Sequence, residues 1–174
     1  MNWTLFSPLA GTLHTLACLV ALPTGAWLMV ARKGTARHRF WGDVFTGAML
    51  VGGALSLTIY SQGHLHRPHY LAMTSMVLSA AGFALARWKT PPGAWRYLHI
   101  VCMVGAYYVL VGGLLQEMLL RVGALRRLVA AQPALAPQAH GGLMMGFLGL
   151  ILIYLAATGV GQARIALRAR RRAT

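Results

Sequence analysis

Seven histidines are the residues of this 174-residue chain best suited to chemistry, and their spacing is its first informative feature. His14, His38, His69, His99 and His140 each fall near the start of a long apolar run, while His64 and His66 precede His69 in the stretch GHLHRPH. Neutral imidazoles paired from separate segments ligate haem iron axially. Imidazoles joined by a carboxylate instead hold zinc or copper. Asp43 and Glu117 are the only acids in the chain, so any carboxylate chemistry rests on one of these two.

The elements that must position these side chains are membrane spans. The chain is 57% hydrophobic and only 10% charged, far from the composition of a soluble domain. Its net charge of +14 could serve nucleic acid. The positions of the basic residues exclude that partner, because nearly all lie in the gaps between apolar runs, where they flank spans in a lipid bilayer. Five runs approach the roughly 20 residues that cross the hydrocarbon: Leu9–Val30, Phe40–Tyr60, Tyr70–Ala86, Tyr97–Leu119 and Gly141–Val160. Pro68, the pair Pro91 and Pro92, and Pro133 with Pro137 punctuate the gaps, while Pro23 predicts a kink inside the first run. The expected fold is therefore all-α, a single membrane domain over residues 1–174 built as a bundle of five transmembrane helices with a basic tail at 161–174.

Orientation follows from charge. With the N-terminus outside and the C-terminus cytoplasmic, the first and third loops and the tail hold twelve of the sixteen Lys and Arg residues. Met1–Pro8 lacks the positive region of a cleavable signal, so the first run reads as a retained span. Trp3, Trp27, Trp41, Trp88 and Trp95 all fall at the expected interfaces. VGALRRLVAAQ, between the fourth and fifth runs, reads as a loop or as a short helix lying on the interface. Cys18 and Cys102 sit within apolar runs and indicate no disulfide framework. Ala48 with Gly52, and Gly142 with Gly146, have the spacing that lets helices approach closely.

This topology sorts the histidines into two layers. His38 and His99 lie on the inner side, with Asp43 a little deeper; His14, His69 and His140 lie on the outer side with His64, His66 and Glu117. In one reading His38 pairs with His99, and two of His14, His69 and His140 pair outside, each pair holding haem b so that an electron crosses toward a redox partner or quinone. In another, His64, His66, His69 and Glu117 hold zinc or copper, with His14 or His140 completing the set and Glu117 the base for any hydrolysis. In a third, the chain is an accessory subunit whose histidines are amphipathic interface residues. No HExxH or repeated CxxC selects among them. Cys18 and Met103, each one turn beyond a histidine, can add sulfur. Tyr107 and Tyr108 read as aromatic packing or as the wall of a quinone or porphyrin site, and Asp43 as a partner of Arg39 or a proton carrier.

The stretch LHTLACLVALPTGAWLMVARKGTARHRFWGDVFTGAML, with His14, Lys33, Gly34, His38, Arg39 and Gly42, resembles the DUF2306 family of uncharacterised bacterial membrane proteins. The likeness continues through His69 and WRYLHIVCM with His99, covering Leu13 to Leu120. It implies a multi-pass protein of the bacterial inner membrane and brings no activity. A looser likeness of architecture is to cytochrome b561-type proteins, whose histidines on alternate helices hold two haems. His38 with His99 and His69 with His140 follow that alternation.

Overall fold

The computed structural model describes residues 6–59, 67–121 and 135–173, together with four isolated positions between 121 and 135. Five helices follow one another: α1 (Phe6–Val30), α2 (Ala36–Leu57), α3 (Arg67–Trp88), α4 (Trp95–Arg121) and α5 (Leu135–Ala173). Among the described residues, four helices are long and apolar enough to cross a membrane. The apolar stretch of α5 is shorter, Gly141–Ala157, and the helix runs on through the basic tail expected to follow the last span. Helices α2 to α5 begin before the apolar runs that predict them, because their polar first turns are still helical. His38 consequently lies inside α2.

The turn between α1 and α2 shows how the charged stretch works locally. The Lys33 ammonium donates to the carbonyls of Leu28 and Met29 (2.9 Å for the latter), closing the C-terminal end of α1. Gly34 then takes φ +80°, a left-handed conformation that glycine adopts without a Cβ penalty. Thr35 caps α2, its Oγ1 accepting from the backbone N–H of His38 at 3.1 Å. Three consecutive residues stop one helix, turn the chain and start the next. Pro23 lies within the continuous α1, and the hydroxyl of Thr24 beside it donates to Val20 O at 2.7 Å.

Helix α1 packs along α2, and α3 along α4; α2 lies against α3, and α4 closes on α1. The first four helices thus form a ring in which α1 stands diagonally from α3, and α2 from α4. Helix α5 packs outside the ring on α4, reaching α1 where Tyr154 Oη donates to Met29 O at 3.2 Å. Ala21, Phe45, Met49 and Ala106 form the buried centre. Large apolar side chains point outward instead: Leu19 is 57% exposed, Val77 66% and Ile153 68%. Such an exterior suits lipid rather than water. One end of the ring carries Arg32, Lys33, Arg37, Arg39, Arg87, Lys89 and Arg96 and is called the basic end below.

Close approach is concentrated at glycines. A Cβ on Gly25 of α1 would lie 2.4 Å from the Tyr107 ring and 2.9 Å from the Phe45 ring; one on Gly53 of α2 would lie 2.3 Å from Met76. Gly142 and Gly146, expected at a helix contact, have no atom within 4 Å of an added Cβ; they border an open groove between α4 and α5 rather than a close approach. Gly25→Ala is expected to destabilise the bundle by about 1–3 kcal/mol, since both opposing rings are rigid. Gly47→Ala, which meets open space, should change stability by less than about 0.5 kcal/mol. Unfolding midpoints in mixed micelles compare the two.

Candidate functional site

At the basic end, the Thr35 cap fixes the third residue of α2, His38, on the interior side of that helix. Its Nδ1 is buried and reaches no protein hydrogen-bond partner. His99 lies diagonally across, on the second turn of α4, and His38 is within electrostatic reach of both it and Lys33. The register of α2 and α4 is consistent with both lying near the basic end. Two turns beyond each histidine stand Phe45 and Tyr107, whose ring centroids are 6.3 Å apart. The expected inner pair is therefore brought to one layer, roofed by two aromatic rings.

The ring of His99 is held in one orientation. Its Nδ1 lies 2.7 Å from Gly82 O of α3. A carbonyl can only accept, so Nδ1 carries a proton, and in the neutral ring the lone pair is on Nε2. Gly82 permits the contact because α4 sits where its side chain would be: an added Cβ would lie 2.6 Å from Met103 Sδ and 3.2 Å from Cys102 Cβ. Donation of one ring N–H to a backbone carbonyl is the arrangement that orients a histidine for binding metal through the other nitrogen.

Toward the opposite end, His14 repeats this device. Its Nδ1 lies 2.8 Å from Gly52 O of α2, and an added Cβ on Gly52 would come within 3.3 Å of Ala17 Cβ. Here the second nitrogen is engaged as well, with His14 Nε2 lying 3.7 Å from Cys18 Sγ, so the thiol donates to the lone pair. His14 stands eight residues, about 12 Å, along α1, deeper than a residue at the interface. His69, third in α3 and 2% exposed, is also interior, whereas Glu117 of α4 is exposed. His140 belongs to α5, which packs on α4.

His64, His66 and the stretch VGALRRLVAAQ lie largely outside the described residues. Among the described residues no three His, Cys, Asp or Glu side chains converge. Asp43 is exposed, as is Arg39 one turn before it, and no ion pair joins the two. Tyr107 and Tyr108 pack as aromatics, Tyr108 stacking on Phe147 with centroids 5.6 Å apart while its hydroxyl donates to Met144 O at 3.3 Å. An apolar groove of about 400 Å³ runs between α4 and α5, lined by Val111, Leu115, Gly142 and Gly146 among others, and includes no histidine.

The sequence reading missed the glycine carbonyls at Gly52 and Gly82, although a signal existed. LHTLAC and LHIVC both place a Leu-His pair one turn ahead of a cysteine, once in α1 and once in α4. In each case the histidine bonds to a glycine carbonyl of its hairpin partner. Ring ¹⁵N spectra of the histidines are expected to show a protonated Nδ1 and an unprotonated Nε2 at positions 14 and 99. An Nε2–H tautomer at either position would contradict the geometry.

Comparison with family models, with characterised proteins and with solved structures finds no match, DUF2306 included, so only a helical membrane-protein architecture is shown.

Proposed function

We propose that this chain is a five-span protein of the bacterial inner membrane, basic end in the cytoplasm and N-terminus outside, that binds haem b between diagonal helices and passes electrons across the membrane. One observation carries the reading: His99 presents Nε2 with Nδ1–H anchored on Gly82 O, in the same layer as His38, whose Nδ1 is buried without a protein partner. That donor set fits haem iron, which takes two neutral imidazoles from facing helices. His38 and His99 would hold the inner haem through their ring nitrogens.

For the outer site the helix order supports His14 with His69, since α1 and α3 are diagonal, as α2 and α4 are. His140 is the alternative partner of His69, but its helix packs outside the ring. The DUF2306 likeness covers all four ring histidines and stops before α5.

Haem supplies reversible one-electron transfer when bound. The chain's own groups prepare for it. The Gly82 carbonyl holds His99 in one tautomer and makes Nε2 a stronger donor. Phe45 and Tyr107 cover the layer from the middle of the bundle and keep water from passing inward. His14 must exchange its thiol contact before Nε2 can ligate, so the inner layer is the better prepared of the two. Delivery of the electron to a redox partner or quinone belongs to the same proposal.

The absorbance spectrum tests this directly. Protein expressed with ample haem precursor is expected to show a Soret band and a reduced alpha band, with bound haem measured as its pyridine complex. His38→Ala and His99→Ala should each remove half or more of that haem, while Val77→Ala on the exposed face of α3 should leave it unchanged. A colourless product would sink the proposal, and stoichiometric zinc or copper in such a product would favour the His64, His66, His69 and Glu117 reading.

A further inference from the structure

Among the helical residues whose side chains are described, Ser and Thr follow one rule with two exceptions. Thr24, Ser56, Thr74 and Ser75 each donate to a carbonyl three or four residues back in their own helix, at 2.7 to 2.9 Å. That is how an apolar surrounding normally disposes of Ser and Thr. Thr46 of α2 and Ser79 of α3 do not. They are 5% and 0% exposed, yet Thr46 Oγ1 and Ser79 Oγ reach no protein partner.

The two exceptions lie on one seam. Gly53 of α2 meets α3 at Ala72, where an added Cβ would lie 3.6 Å from the Ala72 carbonyl oxygen. Positions seven apart on a helix share a face. Thr46 stands seven residues before Gly53, and Ser79 seven after Ala72. Because α2 and α3 run antiparallel, both shifts move about 10 Å in the same direction along the seam, toward the basic end. Thr46 and Ser79 therefore stand at one level of the α2–α3 seam, each buried and without a protein partner.

We infer that Thr46 and Ser79 together bind a buried water molecule that bridges α2 and α3 at mid-depth in the bundle. Two neutral hydroxyls, each able to donate and accept, meet the requirement of two to four polar partners for a buried water. They offer no charge for an ion. The water lies between the layer of His38 and His99 and that of His14 and His69, and needs neither layer to carry a cofactor.

Two measurements on the full chain in lipid test this. In water-edited solid-state NMR of the wild-type protein, magnetisation from water is expected to reach the Thr46 and Ser79 side chains, and not the equally buried Ala21 and Phe45. In a double-mutant cycle, Thr46→Val and Ser79→Ala should each reduce the folding equilibrium constant about fivefold or more. The double variant should fall within about twofold of the more harmful single change, because either one releases the water. Additive effects, or stabilisation by either substitution, overturn the proposal. So does a non-additive cycle without water transfer, which identifies a direct hydroxyl–hydroxyl bond.

Discussion

Everything in this bundle depends on where two helices come close enough for the backbone of one to receive a side chain of the other. An imidazole buried in an apolar interior must find a partner, and the carbonyls of a helix are already engaged with N–H groups four residues on. Each carbonyl keeps a second lone pair, shielded by side chains except beside a glycine. Gly52 and Gly82 uncover that lone pair and let the neighbouring helix approach it. His14 and His99 use the two openings, so the bond that holds α1 on α2 and α4 on α3 also fixes the ring that faces inward.

The apolar content of the chain does little to decide this arrangement. Lipid solvates Leu19, Val77 and Ile153 as well as another helix would, so burying them yields little driving force. Packing at glycines and a few interhelical hydrogen bonds must supply the register instead. The buried centre is correspondingly small and built from contacts in which one partner is reduced to backbone or methyl: Tyr107 and Phe45 over Gly25, Met76 over Gly53, Met103 over Gly82. A ring of four helices results, with α5 an outer partner of α4.

The elements were legible in the sequence and their azimuths were not. Apolar length located all five helices, and the turn at Lys33, Gly34 and Thr35 was visible as charged punctuation, although its division into a helix stop, a left-handed turn and a cap required the coordinates. Depth was legible only in part: His38 and His99 lie in the first two turns of their helices as expected, whereas His14 stands two turns inside α1. Facing was hidden, because a membrane helix is apolar on every side and its periodicity does not mark the inward face. That explains why spacing did not single out the close contacts: Gly142 and Gly146 border an open groove, while Gly25 and Gly82, with small residues four positions away at Ala21 and Ala86, are the ones that meet side chains of other helices. Asp43 failed for a related reason: spacing brought it within a turn of Arg39 but did not say which way either side chain points.

The two anchored histidines show how little sequence separates a satisfied side chain from an available one. In α1 the cysteine follows the histidine by four residues, which stacks the two on one face of the helix, and the thiol donates to Nε2. In α4 the cysteine follows by three and packs its Cβ against Gly82; the residue at four is Met103, which sits over the same glycine and has no proton to give. The Nδ1 bond is the same in both places, so the difference lies wholly in the second nitrogen. One residue of spacing leaves His14 engaged on both sides and His99 with a lone pair to offer, in the layer where His38 has a buried nitrogen still to satisfy. Of two copies of one local device, only the one in α1 has its second nitrogen engaged by a thiol.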